Sequence, residues 1–201
     1  MKALEAFRGS SNLSLSVKEI KMSLLNQKTN KKELKNDNYQ TPWYAIKPLE
    51  KYIPRDWILW DCACGDGNIV EFFNNNSYSA IGTDILISNE HDFLVDWHFV
   101  TDSADECDCI ITNPPFSLKT EFLERAKCFG KPFAFLMNVT SLETQRRQKV
   151  FQDAGMQLLL PNKRISYIVD GVQTTSSWFY SAWFLFGFNL EHDINYVEIN
   201  K

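Results

Sequence analysis

From about residue 40 onward the chain alternates short apolar runs with polar stretches of helical spacing, and that alternation leaves few architectures open. Ile58-Leu59-Trp60 reads as a buried strand; 79–84, 108–112, 132–139 and 157–160 read as further strands, and 178–188 closes with one aromatic-rich run. Between them, 68–74, 118–128 and 143–154 read as helices, with Leu118, Phe122, Leu123 and Ala126 on one face of the second. A parallel strand pair needs a crossover long enough to hold a helix, so this order predicts an α/β domain with a mainly parallel sheet covered by helices. Its last strand, near 178–188, is expected to run antiparallel. Fifteen Phe, seven Tyr and six Trp in 201 residues suffice for a large core. An apolar share of 44% and a charged share of 23% exclude fibrous, globally disordered and small disulfide-scaffold chains. No run approaches the ~18 apolar residues that span a bilayer. The N-terminus has no apolar core of a signal peptide, so the five Cys read as reduced thiols in a cytoplasm.

Charge is unevenly placed. Residues 1–36 carry eight Lys/Arg and three acids, a net of +5, while the remainder carries 13 bases and 22 acids, a net of −9. Such a basic arm on an acidic body suits an anionic partner, of which nucleic acid is the commonest, or else is a solvated tail. The expected organisation is therefore a partly flexible arm over 1–36, with a short amphipathic helix around 16–26, followed by one domain over 37–201.

Three motifs carry chemistry. Asp61-Cys62-Ala63-Cys64-Gly65-Asp66-Gly67 follows the first strand and opens a helix; Gly65 and Gly67 allow a tight turn and close approach of backbone to a ligand. It is no Walker A loop, because no Gly-Lys-Ser/Thr follows. Asp84, about 20 residues further on at the end of the second strand, can accept hydrogen bonds from ribose hydroxyls. Asn113-Pro114-Pro115-Phe116 ends the third strand. Its two prolines remove donors and fix φ, which holds the Asn113 side-chain oxygen and the Pro114 carbonyl as paired acceptors for an amino group. Phe116 adds an aromatic face for a base.

These residues resemble the S-adenosylmethionine-dependent amino-methyltransferases of nucleic-acid bases. That family carries an Asp/Asn-Pro-Pro-Tyr/Phe catalytic motif and an Asp-x-x-x-Gly-x-Gly cofactor turn. Tyr39-Gln40-Thr41-Pro42 upstream, Ser141-Leu142-Glu143 with Arg146-Arg147, and Ser181-Ala182-Trp183-Phe184 near the end are similar to small phage and prophage DNA adenine-N6 methyltransferases. The resemblance spans about residues 39–188. It implies a Rossmann-like class I methyltransferase domain with a mostly parallel seven-stranded sheet, its last strand antiparallel. It also implies S-adenosyl-L-methionine as cofactor and double-stranded DNA, with a flipped adenine, as partner. Asn113, Pro114, Pro115 and Phe116 would be catalytic. Asp61, Cys62, Gly65 and Gly67 would hold the methionine end, with Thr41 and Pro42 closing that pocket. Asp84 would hold the ribose, Ile85 would lie against the adenine, and Asp92-Phe93 would contact it. The lead Asp-Cys-Ala-Cys departs from the family's usual residues, and no large target-recognition domain follows the catalytic motif.

Other readings stay open at this level: the same transfer to RNA adenine, to the cytosine N4 amine or to a protein glutamine amide, or a non-catalytic nucleic-acid-binding subunit of the same fold. Cys62-x-Cys64 and Cys107-x-Cys109 would fall on neighbouring strands of the expected sheet, but their spacing departs from the usual zinc pattern and no metal is expected. His91, His98 and His192 lack ligand spacing. Arg146, Arg147 and Lys149 fit a solvated helix face or a phosphate contact equally well. Lys163 and Arg164 open a polar loop, 163–177, that is expected to face DNA. Recognition sequence and oligomeric state are not encoded in these motifs.

Overall fold

A computed structural model describes residue 37, residues 39–95 and residues 98–200. The basic segment 1–36, with its expected helix around 16–26, lies outside the described residues.

The six expected strands and one further edge strand pair into one seven-stranded sheet. Its members are β1 (Ile58–Asp61), β2 (Ser79–Gly82), β3 (Cys109–Thr112), β4 (Phe133–Asn138), β5 (Met156–Pro161), β8 (Ser181–Phe186) and β9 (Ile194–Val197), in the order β2-β1-β3-β4-β8-β5-β9. A separate two-stranded hairpin joins β6 (Ile168–Val169) to β7 (Val172–Gln173). All sheet pairs are parallel except those of β8, which runs antiparallel between β4 and β5. The aromatic run near the C-terminus is thus the antiparallel strand, as its position predicts. The further edge strand β9 is an addition to the sequence reading.

Side-chain alternation explains the layering. Along β4, Phe133, Phe135 and Met137 point to one face and Ala134 and Leu136 to the other; along β8, Ala182, Phe184 and Phe186 oppose Trp183 and Leu185. The first face is covered by α3 (His98–Glu106), α4 (Lys119–Phe129) and α5 (Gln145–Ala154) through Val100, Phe122, Leu123, Ala126 and Phe151. The second is covered by α1 (Trp43–Ile46), the 3-10 turn Lys47–Tyr52 and α2 (Asn68–Asn75) through Ile46, Leu49 and Phe73. Phe133 and Phe186 stack at 4.2 Å between centroids across the β4–β8 pair, which ties the antiparallel strand into the core.

Topology decides where a ligand can sit. From β1 the chain crosses through α2 to β2 on one side, then returns through α3 to β3 on the other. Connections that leave in opposite directions from adjacent strands open a crevice at their carboxyl ends. Asp61 ends β1 and Thr112 ends β3, so the first and third motifs meet at that crevice.

Candidate cofactor and substrate site

A cleft of about 770 Å³, its open mouth included, lies at this switch point. Its floor is the turn from β1 to α2. Cys64 N–H donates to the Thr83 carbonyl at 3.0 Å, and Thr83 N–H donates to the Asp61 carbonyl at 2.9 Å, locking the turn to the end of β2. Gly65 has φ +52° and Gly67 φ +88°, both left-handed. A side chain at Gly65 would meet the Gln40 amide, with Nε2 2.3 Å from a built Cβ, while Gly67 has open space. Gly65 is therefore required by both conformation and close approach, Gly67 by conformation alone. Gly67→Ala should cost about 1–2 kcal/mol of left-handed strain. Gly65→Ala should cost more, because displacing Gln40 also breaks the 3.2 Å bond from Asp66 N–H to its Oε1. Urea denaturation of the two variants checks the ranking.

Two carboxylates shape the cleft's charge. Asp84 accepts from Gly65 N–H at 2.9 Å and Leu86 N–H at 2.7 Å, one bond to each oxygen, so it fixes the glycine turn and still has lone pairs for a ligand. Asp61 is 3% exposed and accepts from Ala63 N–H at 3.2 Å. Burial pushes its carboxyl up to about 7, against the hydrogen bond from Ala63 N–H, with the nearby Asp84 raising it further. The folded state thus holds a proton on Asp61 that the unfolded chain releases near pH 4, so stability should fall as pH rises from about 4 to 7. Asp61→Asn removes that slope, with a gain over the parent of up to about 4 kcal/mol at pH 8 and little at pH 4. Urea titrations across that range check it.

At the other wall stands the Asn113 turn. Asn113 Nδ2 donates to the Tyr39 carbonyl at 2.6 Å. A backbone carbonyl only accepts, so this contact fixes which end of the amide is nitrogen. The Asn113 Oδ1 is buried and has no hydrogen-bond partner. Among the described residues the Pro114 carbonyl also accepts no hydrogen bond; the turn is closed one residue later, from Leu118 N–H to the Pro115 carbonyl at 3.0 Å. Two acceptors of one short turn are left unused, and a buried one such as Asn113 Oδ1 rarely stays so. Tyr39 is itself held: the Gln40 backbone pairs with Ile168 of the hairpin at 2.8 and 3.0 Å, and Asp37 Oδ2 accepts from Ser117 N–H at 3.0 Å and from its hydroxyl at 2.7 Å.

Of the residues named from sequence, Thr41, Asp61, Cys62, Gly65, Asp84 and Ile85 line the cleft, as do Asp92, Phe93, Asn113 and Pro115. Pro42, Gly67, Pro114 and Phe116 do not. Pro42 precedes α1 and Gly67 precedes α2 as their N-caps. The half-buried ring of Phe116 packs instead in an aromatic box, 5.3 Å from Tyr39 and 5.0 Å from Phe179. Sequence reasoning passed over Asp37 and Tyr39 as site residues, along with Asn68, whose Nδ2 donates to the Thr41 carbonyl at 3.3 Å. The cysteines are free, and burial pushes the thiols of Cys62, Cys64, Cys107 and Cys109 up, which suits core packing rather than nucleophilic work. Among the described residues no group of three His, Cys, Asp or Glu is placed to hold a metal ion, and no helix is long and apolar enough to cross a membrane. Arg146 forks onto Glu121 and Glu124 at 3.0 and 2.5 Å.

No protein-family model and no curated protein matches the chain. Among solved structures it is similar to a Listeria monocytogenes protein assigned to the class I S-adenosylmethionine-dependent methyltransferases. That match has 13% identity and a TM-score of 0.49, and covers 97% of this chain and 75% of the other. It is also similar to an Agrobacterium tumefaciens protein assigned as an O-methyltransferase, with 9% identity and a TM-score of 0.41, covering 78% and 84%.

Proposed function

We propose that the chain transfers a methyl group from S-adenosyl-L-methionine to an exocyclic amine, the N6 of an adenine turned out of DNA. The observation that carries this reading is the pair of unused acceptors at the Asn113 turn. An exocyclic amine is a weak nucleophile because its lone pair is delocalised into the ring. Accepting both of its N–H groups, at Asn113 Oδ1 and the Pro114 carbonyl, favours a pyramidal nitrogen and localises that pair. The Tyr39 carbonyl holds the amide in the orientation this requires, before any base arrives.

The cleft's donor set fits the cofactor. Asp61 would meet the cationic end and Asp84 the ribose hydroxyls, while Ile85 and Phe93 offer apolar contact to the adenine ring. When bound, S-adenosylmethionine supplies an already activated methyl group, so the protein's task is alignment rather than base catalysis. DNA is favoured as the carrier of the amine by the arm of net +5, which joins the fold at Asp37, pinned to Ser117 directly after the Asn-Pro-Pro-Phe turn.

The test is single-turnover transfer of labelled methyl to adenine-containing duplex DNA, with RNA, cytosine-only DNA and a glutamine peptide as parallel acceptors. Label on adenine N6 of the duplex supports the reading; label only on another acceptor, or on none, overturns it. Removing residues 1–36 should weaken duplex binding and flatten its salt dependence, because each lost phosphate contact lowers the slope by about 0.9. Fluorescence anisotropy of a labelled duplex across a salt series measures it.

A further inference from the structure

Lys119 and Arg147 lie at the carboxyl edge of the sheet, one strand beyond the Asn113 turn, and among the described residues neither has a counter-ion. Lys119 opens α4, and its Nζ donates to Asn138 Oδ1, at the end of β4, at 2.9 Å. The Ser141 hydroxyl donates to the same oxygen at 2.8 Å. Arg147 is 8% exposed; its Nε donates to the Ser141 carbonyl at 2.6 Å and its Nη1 to the Thr120 hydroxyl at 3.0 Å. Every one of these partners is neutral. Among the described residues no carboxylate stands within ion-pair distance of either cation, and Arg147 Nη2 makes no hydrogen bond. The nearby Asp37 carboxylate is engaged by Ser117, and Glu143 and Glu121 act on the pair only at longer range. The contrast with Arg146, one residue away and forked onto two glutamates, is direct.

Burial, and then the Arg147 charge, lower the pKa of Lys119; burial lowers that of Arg147. Two like charges held near one another, one of them buried, are unfavourable unless an anion joins them. Neither group takes part in cofactor or amine binding as described above. They stand at the end of β4, the strand next to β3 and its Asn113 turn, on the side away from β1.

We infer that Lys119 and Arg147 form a binding site for a phosphodiester of the strand whose base enters the Asn113 turn, gripping the backbone while the base is extruded. This rests on the nucleic-acid reading above, and it gives the contact a role in positioning rather than in sequence readout.

The test measures binding of a fluorescein-labelled adenine-containing duplex to the full chain by anisotropy, over a series of salt concentrations, for the parent, Lys119→Gln, Arg147→Lys, Arg147→Gln and, as control, Arg146→Gln. Lys119→Gln and Arg147→Gln should each lower the slope of log affinity against log salt, by up to about 0.9 for the one phosphate they share, while Arg147→Lys retains most of it and Arg146→Gln leaves it unchanged. Thermal melting monitors folding; if Arg147→Gln does not fold, Lys119→Gln decides, since its side chain is half-exposed. Parent-like slopes in folded Lys119→Gln and Arg147→Gln, with the parent binding duplex in a salt-dependent way, overturn this site and leave the nucleic-acid reading standing. A parent that binds no duplex at any salt overturns both.

Discussion

Replacing Asn113 by Ala should reduce the single-turnover methyl-transfer rate by ~10²–10³, with cofactor affinity nearly unchanged. The substitution removes the buried, unpartnered Oδ1 and leaves Asp61, Asp84 and the glycine turn as they are. One aligned group in a dry, preorganised site is worth that factor because it acts on the amine as its lone pair localises, not on the resting substrate. Asn113→Asp should retain more activity than Asn113→Ala, since it keeps an acceptor at the same place. It should also lose part of its alignment, because a carboxylate cannot donate to the Tyr39 carbonyl and would be repelled by it. Activity should therefore order as parent, Asp, Ala. Phe116→Ala is expected to act differently. Its ring contacts Tyr39, Tyr167 and Phe179 rather than the cleft, so its loss loosens the box behind Tyr39 and should lower the stability of that wall and, through Tyr39, base binding. Rapid-quench transfer with saturating cofactor, beside calorimetric cofactor titration, separates the two effects. An Asn113→Ala chain that transfers as fast as the parent would make the turn purely structural.

The parts of the fold and site that were legible in the sequence are those set by local chemistry. Glycines after a strand, an acid at the end of the next and a double proline at the end of a third each declare a backbone geometry within a few residues. That is why Asp61, Gly65, Asp84 and Asn113 could be named and do converge on one cleft. Tyr39 and Asp37 could not be found this way: their contacts to Asn113 and Ser117 bridge 74 and 80 residues, and nothing in Asp37 or Tyr39 themselves announces a partner. The hairpin of β6 and β7 falls inside the polar loop expected over 163–177, although Asp170-Gly171, both with positive φ, is a strong two-residue turn signal. Strands of two residues are too short to show alternation. α3 was obscure for another reason. Its sequence is rich in acids, and its described buried side chains, Val100, Ser103 and Ala104, form no long apolar run. β9 escaped because an edge strand with exposed Ile194 and Tyr196 and polar neighbours lacks the continuous apolar run that marked the interior strands.

The buried carboxyl of Asp61 makes cofactor binding the process with the steepest expected pH dependence. With its pKa pushed up to about 7, the free protein carries Asp61 largely protonated below neutrality. A ligand that brings a cation to this group favours the carboxylate, so binding below pH 7 must release a proton. Affinity should therefore rise by up to tenfold per pH unit between about pH 5 and 7 and level off above, the opposite sign from the free protein's stability, which falls over the same interval. Asp61→Asn should flatten the profile: nearly parental affinity at pH 5, where the parent is neutral as well, and a loss of about 1.5–3 kcal/mol at pH 8, where only the parent offers a charge. The variant should be the more stable protein at pH 8 and the weaker binder there, because the uncompensated carboxylate that costs stability in the free chain is the group a cation would satisfy. Titration calorimetry of S-adenosylmethionine in two buffers of different ionisation enthalpy reads both the affinity and the proton released. Parental affinity that stays level from pH 5 to 8, with no proton released at pH 6, would place the cation elsewhere in the cleft.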